Sequence, residues 1–291
     1  MEAINLPALY NSASELSATS QRKYLKLIRL EYSSLIVASI LSLNISNNKF
    51  YYIIHALVFL FSLAFMITRY WTKPEQDWYK GRALAESIKT SSWRYCMRAE
   101  PFDGEQEAQI TRANFRNYLK AILEANRHIG ERIPPDSDAE DQITTSMEEI
   151  RSLSLDKRIN IYIEHRIKEQ RKWYAQKSKS NKDASYRWLV GGVSAYFLAI
   201  FLLFMRASFP DFEIWPIEPF AVIASSIIGW TQVKKFNELA SSYTLTAHEI
   251  GIIQCRSTEV STETQFSDFV NEAEQAFSRE HTQWVARQQS H

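Results

Sequence analysis

Two sets of residues have the types and spacing to do chemistry. Trp78, Arg82, Glu86, Lys89 and Trp93 follow one another at steps of three or four, as do Arg158, Tyr162, Arg166, Gln170, Trp173 and Lys177. Residues so spaced share one face of a helix. A guanidinium beside an aromatic face can hold a phosphate and stack a base. Arg82, Glu86, Lys89, Trp93, Arg158, Tyr162, Arg166, Gln170 and Trp173 are therefore candidates for an anionic ligand. The competing reading is structural. Arg82 and Glu86 stand one helical turn apart and can neutralise each other, and Glu164 and Glu169 lie beside the second set, as in an ion-pair seam between packed helices.

A separate group of candidates interrupts apolar sequence. His55 falls about 8 Å inside a long apolar run by helical rise, where a titratable group can gate or line a path or reach back to the interface. Ser225, Ser226 and Gly229 interrupt another such run, and small residues there either line a water-filled pore or let two helices approach closely.

Other chemistries lack their residues. His248 beside Glu249 and Glu280 beside His281 are chain neighbours that point to different sides of a helix, with no two-histidine zinc spacing. Cys96 and Cys255 are far apart and read as free thiols of a reducing compartment. Seven glycines, none in a Gly-rich phosphate motif, argue against a nucleotide cradle built from backbone amides. A net charge of +1 gives no reason to expect nucleic acid. The expectation is a protein that is not an enzyme, with no metal site and no cofactor.

The elements that must position these residues are helices, and four stretches are apolar along their length. Tyr32–Ile45, Phe50–Thr68, Trp188–Met205 and Ile217–Val233 contain only one of the chain's Asp, Glu, Lys or Arg residues, Glu218. Phe50–Thr68 and Trp188–Met205 cross roughly 27 to 29 Å as helices, enough for the hydrocarbon of a bilayer. Tyr32–Ile45 reaches only about 21 Å and must recruit Leu27, Ile28 and Leu30, with Arg29 and Glu31 snorkelling. Pro219 suits the first turn of the fourth helix.

Short connections, Ser46–Lys49 and Arg206–Pro216, make each pair a hairpin, so all large polar segments share one side. Those segments carry Arg22, Lys23, Lys26, Arg29, Arg69, Lys73 and their counterparts near the spans, whereas the connections carry Lys49 and Arg206. The positive-inside rule then places both termini in the cytoplasm of a multi-pass inner (cytoplasmic) membrane protein. The first twenty residues show no basic-then-apolar order, so no cleavable leader is expected.

The fold class expected is all-α: an integral membrane protein with two transmembrane helical hairpins, four spans, and a cytoplasmic helical bundle. Two units stand in tandem, 1–130 with hairpin 32–68 and 142–291 with hairpin 188–233. Pro134, Pro135 and an acidic cluster mark the linker, 131–141. At the C-terminus Phe266, Phe269, Val270, Ala273, Phe277, Trp284 and Val285 form an apolar stripe of helical period.

A polar, aromatic helix, RIKEQRKWYAQKSKSNKDASYRW, feeds a hairpin, and another hairpin is followed by WYKGRALAESIKTSSWRY. This order resembles the SLATT superfamily of bacterial two-transmembrane proteins, as does YTLTAHEIGIIQ followed by FVNEAEQAFSREHTQW. The opening LPALYNSASELSATSQRKYLKLIRL looks like the start of one subtype and the chain from about 142 onward like another. The resemblance implies a membrane effector of a prokaryotic conflict or anti-phage defence system. Such an effector would oligomerise to form a pore or disrupt the inner membrane on a signal from a nucleotide second messenger or a nucleotide-sensing partner protein. The alternative is a non-conducting membrane scaffold or sensor that recruits a cytoplasmic partner. Beyond the lipid membrane and a homo-oligomer, no nucleic acid partner is expected.

Overall fold

The computed structural model describes residues 4–103, 107–133 and 142–289, with side chains as far as residue 278. Every regular element among the described residues is helical. The order is α1 (Ala8–Leu41), α2 (Lys49–Thr72), α3 (Pro74–Met97), α4 (Ala108–Ala125), α5 (Arg127–Gly130), α6 (Thr145–Ser152) and α7 (Leu155–Tyr162). A π-helical turn (Ile163–Lys168) then leads into α8 (Glu169–Ser208), followed by α9 (Ile217–Lys234), α10 (Phe236–Cys255), a 3₁₀ turn (Arg256–Glu259) and α11 (Glu263–Gln289). Pro134, Pro135 and the acidic cluster of the expected linker lie outside the described residues, as do the side chains of Glu280, His281, Trp284 and Val285.

The same local plan occurs twice. A long helix (α1, α8) turns back into a second apolar helix (α2, α9), which ends at a lysine in the left-handed region, Lys73 with φ 41° and Lys235 with φ 48°. Each of these lysines donates its backbone N–H to a carbonyl of the preceding turn, Arg69 and Thr231 respectively. A third helix, α3 or α10, starts at the next residue, Pro74 or Phe236. Proline at the first helical position lacks only a donor that would be unsatisfied there anyway.

By length and apolar composition two helical runs can cross a membrane, Lys49–Met97 through α2 and Leu155–Ser208 through α8. The helix containing Tyr32 differs from the sequence expectation at its far end. It stops at Leu41 rather than Ile45, because Asn44 takes φ 53° and leaves Ile45 outside. The Tyr51 hydroxyl donates to the Leu41 carbonyl at 2.7 Å and satisfies part of the exposed helix end. Glu31 pairs with Arg69 at 3.1 Å and the Arg29 guanidinium lies over Trp230 at 5.2 Å, so both expected snorkelling residues have partners.

The chain forms two compact units, neither of which follows the tandem order. The helical unit takes Met1–Gln21, Glu75–Lys177 and Ser242–His291 in its described residues. Its core is aromatic: Trp93, Tyr95, Phe115, Tyr162, Phe266 and Phe277 are all buried. Gly81 serves close approach here, since a Cβ on it would meet Ser17 N at 3.2 Å and Ala13 O at 3.3 Å, and the Ser17 hydroxyl donates to Trp78 O at 3.0 Å.

The hairpin unit takes Arg22–Pro74 and Ser178–Ser241 and so contains both hairpins. Its polarity is reversed with respect to a soluble domain. Many of its buried residues are small: Ala38, Ser39, Ser62, Ala195, Ala199 and Ala224. Its large apolar side chains are turned outward, with Leu60 59%, Phe61 58%, Phe197 67% and Phe204 70% exposed. Close helix contact through small residues is what remains as a packing force when the surroundings are as apolar as the helices.

Candidate functional site

Six of the nine seam residues come together in the helical unit. The Arg166 guanidinium, on the π-helical turn, makes a bidentate contact with Glu274 of α11, Nε to Oε1 at 2.8 Å and Nη2 to Oε2 at 2.6 Å. Both side chains are buried, at 1% and 0% exposure. Tyr162 donates its hydroxyl to Glu274 Oε1 at 3.0 Å, and Glu86 of α3 stands 3.4 Å from Arg166 Nη2. With its amide oxygen turned toward the cations, Gln170 accepts from Arg166 Nη1 and from Lys89 Nζ, both at 3.1 Å. Trp93 meets Tyr162 edge to face at 5.8 Å, and its indole N–H is buried without an acceptor among the described residues.

The electrostatics follow from this geometry. Burial alone would lower the pKa of Arg166, but the Glu274 carboxylate, its hydrogen bonds and Glu86 outweigh burial and raise it. Burial and the Glu274 charge push the Tyr162 phenol well above its ordinary value. Burial and the Arg166 charge push Lys89 down, with Glu86 and Glu274 opposing. The cluster is an ion network in which burial and Arg166 oppose the charge of one member, Lys89. A π-turn at its centre is notable because such turns are rare and concentrate at functional positions.

The other three candidates stand elsewhere. Arg158 is buried and donates to Met97 O at 2.7 Å and Leu153 O at 3.1 Å, and it pairs with Glu263. Met97 is the last residue of α3, so this cation satisfies a helix C-terminus where the dipole favours it. Trp173 packs against Tyr174 and Tyr243 at 5.0 and 5.6 Å. Arg82 lies one turn before Glu86 on α3.

Glu274 escaped sequence reasoning, although a signal was present. It falls four residues after Val270 and three before Phe277, on the apolar stripe of α11, where an uncompensated carboxylate needs a buried partner.

The second candidate set also converges, in the hairpin unit. A cavity of about 470 Å³ is lined by Tyr32, Leu35, Ala38 and Ser39 of α1, Ser42 just after it, His55 and Phe59 of α2, and Glu218, Val222, Ser225 and Ser226 of α9. The His55 ring stacks on Phe59 at 5.2 Å, and its Nε2 is buried with no partner among the described residues. Gly229 lies beside this cavity as a packing position, since a Cβ there would strike the Tyr32 phenol, with Cζ at 2.9 Å. Helices of both hairpins thus meet around a largely apolar space with a few polar side chains, Glu218, His55 and the serines, in its wall.

Comparison with known families agrees with this organisation. A family model described as SMODS and SLOG-associating 2TM effector domain 3 matches residues 7–159, and one described as SMODS and SLOG-associating 2TM effector domain 1 matches residues 162–284. No curated protein and no solved structure matches the chain. The long apolar helices, the repeated hairpin plan and two consecutive family matches that span most of the sequence show that the chain belongs to the SLATT family of two-transmembrane effector domains and carries two of them in tandem.

Proposed function

We propose that this protein is a membrane effector of a prokaryotic defence system, which oligomerises so that its hairpins form a pore or breach the inner membrane on a signal. The observation that carries this reading is the reversed polarity of the hairpin unit. Its exposed faces on α2 and α8 are large and apolar, as lipid-facing surfaces are, while Ser39, Ser225, Ser226, His55 and Glu218 stand in the wall of a partly open, largely apolar cavity between helices. In this reading α1, α2, α8 and α9 all span the bilayer, the helical unit is cytoplasmic, and several copies associate because four spans enclose too narrow a path alone.

The buried Arg166–Glu274 network fits the part that holds the resting state. Such a pair contributes little net stability against apolar substitutes but enforces one arrangement, which is the property of a latch. α8 carries residues of both units, so a change at the π-turn reaches the hairpins along the chain itself. A nucleotide messenger or a nucleotide-sensing partner is the trigger in this reading. Catalysis has no part in it.

Purified protein in liposomes should release a trapped anionic dye after the trigger is supplied; retention under every trigger, with protein inserted, favours the non-conducting scaffold instead. Orientation is tested by single cysteines at Asn47, Asp211 and Lys120 in a background without Cys96 and Cys255. In intact cells an impermeant thiol reagent should label the first two and spare the third, and labelling at Lys120 contradicts the arrangement with both termini inside.

A further inference from the structure

The cavity among α1, α2 and α9 has one formal charge in its wall, the Glu218 carboxylate. This residue stands in the first turn of α9 with no ion-pair partner among the described residues. Most of the remaining wall is apolar, including Leu35, Phe59 and Val222. Ser39 and Ser42 donate to carbonyls of α1, Ile36 O and Ser39 O, each at 2.7 Å, so their hydroxyl hydrogens are spent. Two aromatic rings, Tyr32 and Phe59, border the space, and the buried Nε2 of His55 is unpartnered.

These features select a ligand by exclusion. An anion would face the carboxylate without a compensating cation. A bare metal ion needs several oxygen ligands to replace its hydration shell, and the wall offers one carboxylate among mostly apolar groups. A molecule positive at one end and apolar at the other matches the carboxylate and the apolar lining. Its charge meets Glu218 and the aromatic rings, and its apolar part fills the rest.

We propose that this cavity is a binding site for an organic ammonium ion carrying an apolar group, held by Glu218 and the faces of Tyr32 and Phe59. The volume of about 470 Å³ lies within the usual range for small-molecule sites. The proposal goes beyond the membrane-breaching reading and does not depend on conduction.

The test is calorimetric titration of the full chain in maltoside detergent with 2-phenylethylammonium and with 2-phenylethanol, its neutral counterpart. Saturable binding of the ammonium about tenfold tighter than the alcohol is expected, the difference being a partly screened charge contact. Glu218→Gln should erase that preference, and Phe59→Leu, which keeps an apolar wall, should weaken the ammonium several-fold while leaving melting temperature unchanged. Equal binding of the two probes by the unsubstituted protein, no saturable binding, or an unaltered preference in Glu218→Gln overturns the proposal. Repeating the titration in phosphatidylglycerol nanodiscs with and without phosphatidylethanolamine separates the two sources of such a group. Competition by the ethanolamine lipid identifies a headgroup as the occupant, and its absence a free amphiphile.

Discussion

Arg166→Ala is expected to lower the stability of the helical unit by about 3–5 kcal/mol, because it leaves the fully buried Glu274 carboxylate without its cation. Glu274→Ala should cost a similar amount for the mirror reason. The combined change Arg166→Met with Glu274→Leu removes both charges and restores apolar volume, so it should recover most of the loss. The single changes Arg166→Met and Glu274→Leu close the cycle with this double variant, and thermal or denaturant unfolding measures the coupling. Purely additive losses would show that the two side chains do not act as a pair. The contrast with the exposed pair Arg127–Glu131, whose side chains are 84% and 67% accessible, is instructive: water screens it, and its removal should hardly register.

Arginine at Leu60 or Phe197 is expected to have the largest effect on membrane insertion. Both residues sit near the middle of the apolar runs of α2 and α8 and point outward. A charge at the centre of a spanning helix costs about 2.5–3.5 kcal/mol in insertion, a factor of roughly one hundred. An insertion assay with each span placed in a reporter fusion reads it directly. Tolerance of arginine at both sites would mean that these faces look into water or protein and would remove the basis for a lipid-facing exterior.

Much of this architecture was legible in the sequence. Charge-free runs are improbable in a chain so rich in charge, so α2 and α8 announced themselves, and the repeated order of polar helix, hairpin and polar helix gave the tandem family assignment. The seam was legible as a face because steps of three and four survive any detail of packing. Its membership was not. Glu274 lies more than a hundred residues from Arg166, and a lone carboxylate on an amphipathic helix gives no hint of its partner. Arg158 had the right spacing but serves the end of α3, which only tertiary structure reveals.

The π-turn at Ile163–Lys168 carries neither proline nor glycine, so nothing local marked it. His55 and the Ser225–Ser226 pair were each visible as interruptions of apolar sequence. Their meeting around one cavity required three helices from two hairpins, information that periodicity along a single helix does not contain. The end of α1 at Leu41 turned on the left-handed conformation of Asn44, a choice that asparagine tolerates but does not impose.

Planar-bilayer recording tests the central claim most directly, and the Arg166→Met, Glu274→Leu protein makes it independent of an unidentified trigger. If the buried pair holds a resting state and the hairpins enclose the path, this variant should pass discrete current steps with no signal added. Adding Ser226→Phe, which fills the cavity, should shrink those steps. An inserted, folded variant that never passes current, with or without candidate nucleotides, would contradict the account and leave the non-conducting scaffold in its place.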